Sequence, residues 1–151
     1  MSCCERDSLY FVFGDVIRLH YHSIQKLLDK LGLYPGQPPV LFILNKKDGQ
    51  SQKELATKMN IKPATATVML KRMEKSGFIK RIQDEQDQRV IRVYITDKGR
   101  ETIKEVKKVI ENIDNVCFNN FTLEEKLLLR RFFMQIKDNL LKDSSDCKET
   151  K

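Results

Sequence analysis

The sequence predicts a mainly α-helical chain with a small β-hairpin wing, a winged helix-turn-helix carried between long terminal helices. Three observations predict it. Ser51 and Glu54 have the spacing of a helix-opening capping box, Pro63 opens a second helix shortly after Asn60, and the charged loop Asp84 to Arg89 separates two β-branched runs.

The first element begins near Ser8, where Leu9, Val12, Phe13, Val16 and Ile17 start an apolar repeat of helical spacing that lasts to Leu31. Gly32 ends it, and the stretch from Tyr34 to Pro39 breaks the chain before a short apolar helix from about Pro39 to Asn45. Lys46-Lys47-Asp48-Gly49 then turns into the central pair of helices.

A Ser-x-x-Glu box satisfies two backbone N–H groups that a helix cannot pair internally, so a helix starts at Ser51. Leu55, Ala56 and Met59 share one side of it, and Asn60 tolerates the left-handed backbone of a tight exit. Pro63 lacks an N–H and is pre-set to helical φ, which suits the first position of the next helix, running to Lys75. Ala66, Met69, Leu70 and Met73 form its apolar stripe.

Ala64, Val68, Lys71 and Lys75 point away from that stripe, and Thr65, Thr67 and Arg72 flank the outer face. That face is small near its start and basic near its end. The gradient suits a major-groove reader: threonine hydroxyls bond base edges, valine can touch a thymine methyl, and lysine and arginine can reach guanine or phosphate. Taken alone, the same pattern also fits a surface helix facing water.

Ser76-Gly77 closes the helix, and Phe78 to Gln83 with Val90 to Ile95 read as a hairpin. Its loop is too long for a two-residue turn and projects as a flap. Arg89, where the second strand leaves the loop, suits a narrow minor groove. Asp87 is placed to orient that guanidinium by a charge-assisted bond. A solvated loop of mixed charge is the alternative, and the succession of helix and wing favours DNA.

Thr96 caps a further helix with Ile103, Val106, Ile110, Ile113 and Cys117 along one stripe. Thr122 and Glu125 repeat the capping-box spacing and open a last helix carrying Leu128, Phe132, Ile136 and Leu140. The reading divides the chain into dimerisation helices at 8–31 and 99–142, a winged helix-turn-helix at 37–98, and flexible ends at 1–7 and 143–151. Residues 142–151 are charged and nearly free of apolar side chains, the composition of a disordered tail.

The terminal helices carry more apolar surface than one small winged helix can cover, so a homodimer is expected, the alternative being one helical bundle that packs this surface inside a monomer. A two-fold protein presents two recognition helices about one DNA turn apart, and its site is an inverted repeat in double-stranded DNA.

The formal charge of +7 is concentrated. Residues 37–98 hold 13 Lys or Arg against 7 Asp or Glu, whereas the rest of the chain holds 15 against 14. That excess attracts a polyanion and makes binding salt-sensitive. No apolar run reaches membrane-spanning length and the first residues lack the order of a secretory signal, so a cytoplasmic protein with no membrane partner is expected.

No phosphate loop or nucleophile motif is present, and neither catalytic residues nor a cofactor are expected. Cys3, Cys4, Cys117 and Cys147 lack zinc-site spacing. His20 and His22, two apart, diverge on a helix, so no metal is expected.

With "SQKELATKMNIKPATATVMLKRMEKSGFIKR", Asp87-Gln88-Arg89 and "YITDKG", residues 36–99 resemble the multiple antibiotic resistance regulator (MarR) family of bacterial transcription factors. The flanking helices extend the likeness over nearly the whole chain. The resemblance implies a dimeric repressor, less often an activator. It also implies release from DNA when a small, frequently aromatic or phenolic compound binds between the dimerisation helices and the winged domain. Tyr34, Phe42, His20 and Tyr21 fall near such a cleft, although aromatic residues at helical spacing also build cores, and no ligand residue is assigned.

Two other readings remain open. Some relatives sense peroxide through a cysteine near their first helix, which would make Cys3/Cys4 a redox switch, but the pair precedes the apolar repeat and lacks a pocket to activate a thiol. A winged helix can also be a protein-interaction module with its basic face on an acidic partner.

Overall fold

The computed structural model describes residues 7–146, which fall into two compact units divided between Ile113 and Asp114. The elements are α1 (Leu9–Asp29), α2 (Pro38–Lys46), β1 (Gln50–Ser51), α3 (Gln52–Lys58), α4 (Pro63–Lys75), β2 (Ile79–Gln83), β3 (Ile91–Ile95), α5 (Asp97–Cys117) and α6 (Leu123–Asp146). This is a mainly helical winged helix-turn-helix.

Local chemistry sets the boundaries. Both α2 and α4 begin on a proline, where the missing N–H costs nothing. The capping box of α3 is formed in both directions, Glu54 N–H to Ser51 Oγ at 3.2 Å and Ser51 N–H to Glu54 Oε2 at 2.7 Å. Asn60 and Gly77 take φ of 52° and 79° where α3 and α4 end. After α4 the N–H groups of Phe78 and Gly77 donate to Met73 O and Glu74 O at 3.0 and 2.9 Å, a left-handed exit that aims the chain into β2.

The expected two-stranded hairpin is a three-stranded antiparallel sheet in the order β1-β3-β2. Gln50 pairs with Val93 and Ser51 with Arg92, while β2 pairs with β3 from Ile79 with Ile95 to Gln83 with Ile91. β1 was not legible in the sequence because two residues are too few to show a period of two.

The core of the first unit joins Leu28, Leu41, Leu44, Leu55, Leu70, Met73, Phe78, Val93 and Ile103, drawing on α1 to α5 and the sheet. A fully buried side chain of this size stabilises by about 1.5–3 kcal/mol, so α4 is anchored through Leu70 and Met73 with its other face free. Gln50 is buried at 2% exposure, its amide donating to Lys47 O at 2.7 Å and its carbonyl accepting from Lys58. It ties the end of α2 to α3.

In the second unit, Asn120 turns the chain at φ 65°. Thr122 and Glu125 form the second capping box, with bonds of 2.8 and 3.2 Å. α6 continues to Asp146, beyond the expected end at 142, because no glycine or proline stops it. Residues 1–6 and 147–151, with Cys3, Cys4 and Cys147, lie outside the described residues. Leu9, Val12, Val16 and Ile17 of α1 and Leu127, Leu128, Phe132 and Phe133 of α6 are exposed in the single chain.

Candidate nucleic-acid interface

The outer face of α4 follows from its anchored inner face. Ala66, Leu70 and Met73 are buried and Met69 half-buried, which leaves Ala64, Thr65, Val68, Lys71 and Arg72 exposed along the other side. Thr67 is half-buried, and its hydroxyl donates to Pro63 O at 3.0 Å, so its proton is committed to the helix and only its lone pairs remain for a partner. Thr65 sits on the open face two residues nearer the start.

The wing is braced at two points. Asp84 Oδ1 accepts from the N–H groups of Gln86 and Asp87 at 2.9 and 3.0 Å, and Asp84 N–H bonds Val90 O at 2.9 Å. Asp87 Oδ1 accepts from the backbone N–H of Arg89 at 3.0 Å, whereas the Arg89 guanidinium stands 3.8 Å away and its side chain is 95% exposed. The expected hydrogen bond to that guanidinium is too long to form. Asp87 shapes the loop that presents Arg89, and the guanidinium, still within ion-pair distance of the Asp87 carboxylate, extends from the flap into solvent.

Sequence reasoning missed the groups that fix the wing and the recognition helix to their neighbours. Arg92 Nε donates to Asp84 Oδ2 at 2.6 Å, its NH1 reaches Gly49 O at 3.3 Å, and Glu54 Oε2 lies 4.0 Å away. Asp84 faces Val90, which places Arg92 on the diagonal two residues along, within reach of a long side chain. The register would have shown it. Arg81 is 11% exposed and donates Nε to Gln52 Oε1 at 2.8 Å and NH1 to Glu74 Oε2 at 3.3 Å, while Glu74 Oε1 accepts its backbone N–H at 3.0 Å. One guanidinium thereby joins the start of α3, the last turn of α4 and β2.

These contacts shift two carboxyls. The Arg92 guanidinium first, then the Asp87 and Gln86 N–H groups, holds Asp84 below the ordinary carboxylate range. The Ser51 N–H and then its hydroxyl hold Glu54 low.

Beside the start of α4 lies an open cleft of about 640 Å³, lined by Tyr21, Tyr34, Gly36, Gln37, Ala64, Thr65, Val68, Met69 and Arg72. Tyr21 and Tyr34 are among its lining residues. Phe42 is packed against the core and, with His20, is absent from the lining. Among the described residues no group of three or more His, Cys, Asp or Glu is arranged to hold a metal, Cys117 is a free, exposed thiol, and no helix is long and apolar enough to cross a membrane.

The sequence model of the MarR family matches residues 33–91, the stretch from just before α2 to the start of β3. An uncharacterized HTH-type transcriptional regulator of Bacillus subtilis (strain 168), YdgJ, is 32% identical over 109 residues, covering 72% of this chain and 66% of YdgJ. The chain belongs to the MarR family. The solved structure of MarR is 29% identical, covers 96% of this chain and 99% of its own, and superposes with a TM-score of 0.76. The repressor CouR, solved on a 23-mer DNA duplex, shares the fold with a TM-score of 0.78 at 22% identity, over 90% of this chain and 99% of CouR. As a MarR-family protein, the chain is a DNA-binding transcriptional regulator.

Proposed function

We propose that this MarR-family regulator is a homodimeric repressor that binds an inverted repeat in double-stranded DNA and leaves it when a small aromatic compound occupies the cleft beside α4. The observation that carries the reading is the free outer face of α4, where Ala64, Thr65, Val68, Lys71 and Arg72 are exposed together while the opposite face is locked in the core. On this reading Ala64 and Thr65 approach base edges, Val68 meets a thymine methyl, Thr67 accepts from a base or water, and Lys71 and Arg72 bond guanine or phosphate. Arg89 enters the minor groove from a flap that Asp87 shapes.

The exposed apolar side chains of α1 and α6 support a second copy, since a stripe of that extent left in water promotes association. The position of the cleft supports ligand release. Thr65, Val68 and Arg72 line it and also belong to the proposed DNA face, so a molecule seated there bears on the reading helix itself. A duplex with fixed half-site spacing then discriminates against the altered dimer.

Selection of bound duplexes from a random library by the reduced protein, at near-physiological salt, tests the reading. Enrichment of an inverted repeat with half-sites about one helical turn apart is expected. A folded dimer that enriches no sequence contradicts it and favours the protein-interaction module. Oxidant-driven release that is lost in Cys3→Ser/Cys4→Ser would instead identify a redox switch.

A further inference from the structure

The turn that ends α4 offers three consecutive carbonyls to the start of α5, and each accepts a hydrogen bond there. Lys98 Nζ donates to Ser76 O at 2.7 Å, Thr96 Oγ1 to Gly77 O at 2.6 Å, and Thr96 N–H to Phe78 O at 3.1 Å. The Lys98 ammonium also stands 4.7 Å from the centroid of the buried Phe78 ring. A cation at this point is favoured by the partial negative charge where α4 ends. The two backbones meet so closely that a Cβ on Gly99 would lie 2.3 Å from Phe78 O.

The same first turn of α5 is held on another side. Arg100 donates NH2 to Asp48 Oδ2 at 3.0 Å and NH1 to Asn45 Oδ1 at 3.4 Å. Asp48 Oδ1 accepts from the N–H groups of Ile95 and Gly49 at 2.9 and 3.1 Å. The start of α5 is therefore fastened to the end of α4 and to the turn that follows α2.

We propose that Lys98 and Arg100 are positioning residues, Lys98 fastening the first turn of α5 to the end of the recognition helix and Arg100 fastening the same turn to the end of α2 and the turn after it, so that α4 turns with α5 as one body and the dimer presents its two reading faces at a fixed separation. Neither residue touches DNA in this account, and the inference rests on the DNA-binding reading above. A lysine and an arginine two residues apart act here through backbone carbonyls and a carboxylate of their own chain, and their charge is not part of the outer face of α4.

The test uses the full-length protein with Lys98→Met, which keeps the aliphatic stem over Phe78 and removes the ammonium, and Lys98→Arg, which restores a cationic donor; Arg100→Gln probes the other side. Hydrogen exchange at residue resolution reads the clasp without DNA. Lys98→Met should exchange the amides of Ser76, Gly77, Phe78 and Thr96 about fivefold faster or more, with Lys98→Arg near wild type. The DNA readout is affinity for the selected duplex and for versions with one base pair inserted or removed at its centre. Wild type should lose about tenfold on the altered spacings, and Lys98→Met and Arg100→Gln should show a much flatter dependence.

Unchanged exchange in Lys98→Met overturns the clasp. Faster exchange with an unchanged spacing profile overturns the positioning role. If the wild type selects no inverted repeat, the DNA reading fails and takes the positioning role with it, while the exchange result still decides whether the clasp exists.

Discussion

Asp84 and Arg92 close the base of the wing, with Arg92 Nε donating to Asp84 Oδ2 at 2.6 Å. The other carboxylate oxygen carries the loop amides of Gln86 and Asp87, so one side chain fixes both the flap and the strand that supports Arg89. Asp84→Ala should leave the helices intact, accelerate exchange of those two amides and weaken operator binding. Equal exchange in wild type and variant would show that the flap holds its shape without Asp84.

Acid should act on the same joint. The pKa of Asp84 is lowered in the folded chain, so its stabilising contribution is fully present above the unfolded carboxylate value of about 4 and is lost as pH falls through the lower folded value. Between pH 5 and 8 this carboxylate should contribute no pH dependence to wing order. A carboxyl resonance of Asp84 titrating at or above the ordinary value in NMR would contradict the geometry.

Arg89→Ala should weaken binding to the selected operator by tenfold or more, about 1.4 kcal/mol, with helix content and dimerisation retained. Its side chain is exposed and makes no contact that the fold depends on. Fluorescence anisotropy on the selected duplex measures the loss, and unchanged affinity would remove the wing from recognition.

On the proposed homodimer, Val16→Glu, in the exposed apolar run of α1, should shift the protein from dimer to monomer in sedimentation velocity, because burying an unpaired carboxylate in that interface costs far more than the lost packing. A dimer of wild-type stability would place the interface elsewhere.

Gly99→Ala should destabilise the chain by about 1–3 kcal/mol in urea denaturation. The added carbon would meet the carbonyl of Phe78 at 2.3 Å and Ile95 Cγ1 at 2.7 Å, and the backbone partner cannot rotate away. A neutral substitution would show that the joint between α4 and α5 is looser than its hydrogen bonds imply.

The boundaries of α4 were legible to the residue because Pro63 and Gly77 act through the backbone itself, the first by its fixed φ and the second by its left-handed exit. Both capping boxes were legible for a similar reason: their partners lie three residues apart. What escaped the sequence is contact between distant segments. Arg81 with Gln52 and Glu74, and Arg92 with Asp84 and Gly49, depend on register and helix packing. Proximity of Asp87 and Arg89 along the chain does not reveal that the carboxylate takes the backbone N–H as its hydrogen-bond donor and leaves the guanidinium at ion-pair distance.

The central claim is that the outer face of α4 reads base edges, and a repeated duplex selection with Thr65→Ala/Val68→Ala tests it most directly. An inverted repeat of unchanged half-site spacing is expected, with its inner positions losing preference in both half-sites. A motif identical to that of the wild type, from a variant with wild-type folding and dimerisation, would show that sequence is read elsewhere on the chain.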